Sequence, residues 1–131
     1  MAKYAYPAIF TKEENGYSVA FPDLDGCFTC GDTLPEAMEM AQDALCLALY
    51  DREEDAEPIP PPSDVRAVQA QTGDIVSLIF CDTMEYRELY DNRPVPKTLS
   101  LPNWLNTLSE RAGLNFSAVL QEALKAKLDI S

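Results

Sequence analysis

Between Lys3 and Lys12 the chain reads KYAYPAIFTK, with Tyr4, Tyr6, Ala8 and Phe10 at alternate positions. A period of two puts these four side chains on one face of an extended strand. Pro7 has no N–H to give a neighbouring strand, so it marks a sheet edge or a bulge. Asn15-Gly16 predicts a hairpin turn, and Tyr17, Val19 and Phe21 resume the alternation on the return strand. Pro22 to Gly26 is turn chemistry, and CFTCG after it predicts a short third strand. The period then changes. Thr33 and Glu36 form a capping box with Pro35 in the first turn. Leu34, Ala37, Ala41, Leu45, Ala48 and Leu49 recur at helical spacing to about Tyr50. A helix with one apolar face on a three-stranded sheet is the layer a small α+β domain needs.

Beyond Tyr50 the segment DREEDAEPIPPPSD joins an acidic run to four prolines and predicts a loop or stiff extended connection. DIVSLIFC, from Asp74 to Cys81, is a short apolar run that predicts a buried fourth strand. Asp82 with Glu85 caps a short helix through Tyr90. Arg93-Pro94-Val95-Pro96 is hinge chemistry, dividing the chain into residues 1–92 and 93–131. In the second part KTLSL, from Lys97 to Leu101, alternates as one brief strand. Pro102 opens a helix carrying Trp104, Leu105, Leu108 and Ala112, which Gly113 ends. Asn115 caps a last helix in which Phe116, Val119, Leu120, Ala123, Leu124 and Leu128 make a continuous apolar stripe.

Charge sharpens this division. The 131 residues carry a formal net charge of −12, which on its face argues against a nucleic-acid binder. Residues 1–92 hold five Lys/Arg against nineteen Asp/Glu, a net of −14, whereas residues 93–131 hold five against three, a net of +2. An acidic body that favours a basic partner is thus joined to a mildly basic tail. The chain has no apolar run long enough to span a membrane and no signal-peptide pattern at its start. A cytoplasmic protein with four reduced cysteines is expected.

Two stretches invite catalytic readings. In FPDLDGCFTCGDT the pair Cys27 and Cys30 has metal-ligand spacing, but an extended backbone would send the two side chains to opposite faces, and the chain contains no histidine. Asp23, Asp25, Asp32 and Glu36 could in principle hold Mg²⁺ for phosphoester hydrolysis. Each has a simpler place in a turn or a helix cap. We expect no catalytic residues, metal or cofactor, with a metal-dependent nuclease as the weaker alternative. The acidic run offers Asp51, Glu53, Glu54 and Asp55 as contact candidates for a basic partner.

The tail is too short to bury a core alone, and one strand cannot satisfy its own backbone hydrogen bonds. If two copies pair KTLSL antiparallel, Leu99 and Leu101 face inward while Thr98 and Ser100 face outward together. Such a ribbon presents small hydrogen-bonding side chains on a ridge that can enter a DNA major groove. Asn115, Phe116 and Ser117 offer backbone N–H groups at a helix N-terminus, suited to a phosphate. The alternative is a dimerisation module with no DNA role.

The order strand, helix, helix in KTLSLPNWLNTLSERAGLNFSAVLQEALKAKL resembles the ribbon-helix-helix DNA-binding proteins. Upstream, YPAIF, GYSVAFPDLDGCFTCGDT and LPEAMEMAQDALCLAL together resemble the N-terminal domain of HicB-type antitoxins. The resemblance implies a partial RNase H-like fold for residues 1–92, a sheet of three to four strands packed on one helix without a catalytic carboxylate set. It implies as partner a HicA-type toxin, a small basic protein with a double-stranded-RNA-binding-like fold that cleaves mRNA, and a tail that represses the shared operon. Carried onto the ribbon pattern, Thr98 and Ser100 match the base-facing positions, with Lys97 as a flanking contact. A non-enzymatic antitoxin and autorepressor is therefore expected, a homodimer through its ribbon strands, with a tetramer left open. A stand-alone ribbon-helix-helix regulator is the alternative.

Overall fold

A computed structural model describes residues 2–130. The chain divides into two compact units, Met1–Arg93 and Pro94–Ser131. Unit 1 is α+β. Its strands β1 (Lys3–Glu13), β2 (Gly16–Ala20), β3 (Phe28–Gly31) and β4 (Ile75–Asp82) form one antiparallel sheet in the order β3-β2-β1-β4. Helix α1 (Leu34–Glu54) covers one face of it, and helix α2 (Thr83–Tyr90) follows β4 directly. Unit 2 contains helices α3 (Asn103–Arg111) and α4 (Phe116–Lys127).

The core is built from the alternation in the strands. Tyr6, Ala8 and Phe10 of β1, Val19 of β2, and Ile79 and Cys81 of β4 pack on Ala37, Ala41, Leu45, Cys46 and Leu49 of α1. Small alanines on the helix let it approach the sheet, and Gly31 sets how closely. A Cβ on Gly31 would stand 2.5 Å from the Ala37 nitrogen, well inside contact distance. Thr33 Oγ1 accepts from the Glu36 N–H at 3.3 Å and starts α1 at that point.

Several expectations change in detail. The hairpin turns on Glu14 and Asn15, and Gly16 is already paired with Glu13. Gly16 supplies the positive φ, +149°, on the first residue of the return strand. Pro7 lies in β1, an interior strand, yet β2 pairs only with Ile9 to Glu13. At Pro7 the strand is therefore flanked by β4 alone, and the missing N–H breaks no second ladder. Helix α1 does not stop at Tyr50 but takes in the first acidic residues and ends at Glu54. The apolar stripe fades there because polar side chains, Glu53 above all, hold the last turn. Residues 97–101 form no strand within the single chain. Their strand was expected to need a second copy.

Candidate functional site

The C-terminal turn of α1 brings the acidic candidates together and separates their roles. Glu53 is turned inward, its side chain 8% exposed. It accepts from Tyr4 Oη at 2.8 Å, Thr83 Oγ1 at 2.9 Å and Arg87 Nη2 at 3.1 Å. Burial by itself would raise this carboxyl. Hydrogen bonds, those from Tyr4, Arg87 and Thr83 among them, overcome that cost and hold it at about 2. The same cluster pushes the Tyr4 hydroxyl up to about 12, chiefly by burial and then by its bond to Glu53. Glu53 therefore ties β1, α1 and α2 together and is withdrawn from the surface where a partner would meet it. Glu54 pairs with Arg87 and stays partly exposed. Asp51 and Asp55 face solvent.

Arg87 and its aromatic surroundings were missed by sequence reasoning. Its guanidinium lies 4.6 Å from the centroid of the Tyr50 ring, and Tyr50, Tyr86 and Tyr90 form a chain of rings 5.3 and 4.7 Å apart. The available signal was the spacing of Tyr86 and Tyr90, four apart on a short helix, which places them on one face.

The stretch FPDLDGCFTCGDT is structural in this fold. Phe21 N–H donates to the Cys27 carbonyl, and Cys27 N–H to that of Leu24, both at 3.2 Å. Leu24 is thereby driven into the core. Asp23 accepts from the Ser63 N–H at 2.9 Å and from its hydroxyl at 2.5 Å, tying the turn to the proline-rich connection. Cys27 is buried, its thiol 3.7 Å from the Ala44 carbonyl, while Cys30 is exposed. Cys46 and Cys81 are both buried, and the interaction between their thiols lowers that of Cys46 and raises that of Cys81. Among the described residues no group of three or more His, Cys, Asp or Glu side chains is placed to hold a metal ion.

Unit 2 carries an open apolar groove of about 680 Å³. Leu99, Leu101, Leu105, Leu114, Phe116 and Val119 line it, and each is more than a third exposed in the single chain. Lys97 lines the same groove, whereas Thr98 and Ser100 do not. The segment 97–101 thus turns its odd-numbered side chains to the groove. Asn115 caps α4, its Oδ1 accepting from the Ala118 N–H at 3.0 Å. The Phe116 and Ser117 N–H groups lie in the first turn, where no intrahelical partner exists.

An acidic α+β unit on a helical tail with an unfilled apolar groove defines a small two-part binding protein. Residues 6–121 match the family described as the HicB-like antitoxin of bacterial toxin-antitoxin systems, and the chain belongs to that family. The chain is 48% identical over 58 residues to Antitoxin HicB 2 of Photorhabdus laumondii, a stretch covering 44% of this chain and 42% of that protein. The curated relatives are each matched over less than half of their own length. Among solved structures it is similar to a toxin-antitoxin complex from Streptococcus pneumoniae, at 28% identity and TM-score 0.62 over 95% of this chain and 99% of that one. The antitoxin HicB3 crystal structure superimposes over 98% of this chain and 99% of that one, at 25% identity and TM-score 0.53. No helix among the described residues is long and apolar enough to cross a membrane.

Proposed function

We propose that this antitoxin binds and blocks a small basic HicA-type toxin through unit 1, and represses its own operon through unit 2. In this reading residues 1–92 are the toxin-binding, partial RNase H-like domain, and residues 93–131 are a ribbon-helix-helix module. The chain itself performs no catalysis. The observation that carries the DNA-binding half is the open groove of unit 2. Leu99 and Leu101 sit against it from a segment whose backbone lacks a strand partner, so a second copy would supply both the missing ladder and the missing apolar cover. Pairing in that phase turns Thr98 and Ser100 outward together, to a DNA major groove, with Lys97 flanking. The free N–H groups of Phe116 and Ser117, at the α4 start capped by Asn115, suit a backbone phosphate. The toxin half is supported by the family and by the −14 charge of residues 1–92.

The test uses the full chain with Thr98→Ala and Ser100→Ala together. Operator affinity, measured by fluorescence anisotropy on the promoter of its own operon, is expected to fall at least about tenfold. Sedimentation is expected to show an unchanged oligomer. Undiminished operator affinity would remove the ribbon face from the mechanism. A chain that binds operator but no HicA-type toxin would instead be a stand-alone regulator.

A further inference from the structure

Beside the free edge of the sheet, α1, β4 and α2 enclose a notch of about 100 Å³. That is below the range of a small-molecule site and fits the end of one side chain. Its walls combine the rings of Phe80, Tyr86 and Tyr90 with the carboxylates of Asp43, Asp82 and Glu85, and no Lys or Arg lines it. The nearby Arg87 is committed elsewhere, to Glu53, Glu54 and the Tyr50 ring. Phe80 is about half exposed and Tyr90 67% exposed, so the aromatic walls are open to a partner. Gln42 Nε2 donates to the Phe80 carbonyl at 3.0 Å, which occupies one acceptor of edge strand β4. At Phe80 itself that leaves recognition to the side chains. Burial, reinforced by surrounding negative groups with Asp51 first and Asp43 among them, raises the Tyr86 hydroxyl above its ordinary value.

We infer that this notch is the docking point for an arginine of the basic toxin. The inference rests on the proposed function and names the place where unit 1 would grip its partner. A guanidinium is planar, stacks on tyrosine faces and forks onto carboxylates, so it uses both kinds of wall at once. An ammonium would use only the charge. The exposed carboxylates Asp55 and Glu57 then act at longer range, drawing the toxin in without holding it.

The experiment measures association and dissociation rates of the full chain with a purified HicA-type toxin whose ribonuclease centre has been inactivated, at about 150 mM salt. Asp43→Lys with Glu85→Gln changes the charge by three units inside the notch. Asp55→Lys with Glu57→Gln makes the same change outside it. The notch pair is expected to speed dissociation by about thirtyfold or more, while the outer pair slows association less than about fivefold and leaves dissociation alone. Tyr90→Ala removes a wall without touching charge, and is expected to speed dissociation about tenfold even if the charge variant folds poorly. Wild-type dissociation in both the folded notch variant and Tyr90→Ala, or equal effects from the two charge pairs, would overturn the notch while leaving toxin binding intact. If the wild-type chain binds no HicA-type toxin, the functional reading itself falls and the notch assignment with it.

Discussion

The Glu53 carboxylate accepts from three side chains on two elements, β1 and α2, and one of its partners, Arg87, is itself only 18% exposed. Removing the charge leaves this largely buried guanidinium with the partly exposed Glu54 as its remaining counter-ion, and losing the inner partner of such a pair is costly. Glu53→Gln is expected to cost about 3 kcal/mol at neutral pH, read from urea unfolding. The pH dependence has a definite sign. A carboxyl held at about 2 in the folded chain, against an ordinary 4.5, contributes fully above pH 4.5. That contribution is lost as the pH falls toward 2, so the gap between wild type and Glu53→Gln should close over this window. A gap that persists unchanged to pH 2 would show that the carboxylate is not the stabilising form. Nothing in the sequence around Glu53 sets it apart from Glu54 or Asp55. Its role depends on Tyr4, Thr83 and Arg87, which are distant along the chain and brought together only by the fold.

At the level of elements, what was legible followed from local patterning. The alternation of Tyr4, Tyr6, Ala8 and Phe10 corresponds to β1, Thr33 caps α1, and Asp82 caps α2, accepting from Met84 N–H at 3.0 Å. These signals need only neighbouring residues. The length of α1 was not legible, because its last turn is fixed by contacts to β1 and α2 and not by its own apolar stripe. The turn at Glu14 and Asn15 was misplaced by one residue for a related reason. The glycine in Asn15-Gly16 serves the close approach of Gly31, whose carbonyl oxygen lies 2.5 Å from where a Gly16 Cβ would be. Gly31 faces the same constraint from the other side, against the backbone of Ala37 in α1. Backbone cannot yield as a flexible side chain can, so Gly31→Ala should push α1 off the sheet and cost about 1–3 kcal/mol. Thermal or chemical unfolding would measure it. A fully stable Gly31→Ala would mean that the helix can shift without loss.

For the whole molecule the telling contrast is between the two units. Unit 1 buries Tyr6, Phe10, Leu24, Leu45 and Leu49 almost completely, whereas the described residues of unit 2 include none that is buried. A tail with a continuous apolar stripe on α4 but no interior of its own is half of a core. The sequence carried the stripe and the short alternating segment, but a single chain cannot show which surface completes them. If a second copy does so, a charge placed in the groove should separate the copies. Val119 lines the groove and is 45% exposed in the single chain, so Val119→Asp costs little in the isolated unit but would bury an unpaired carboxylate at the joint. Sedimentation is expected to show monomers, and operator binding should be lost with the ribbon. Toxin neutralisation, assigned to the acidic unit 1, should survive at raised protein concentration. A Val119→Asp chain that remains dimeric would place the self-association outside the groove, and with it the strand pairing on which the DNA-binding reading depends.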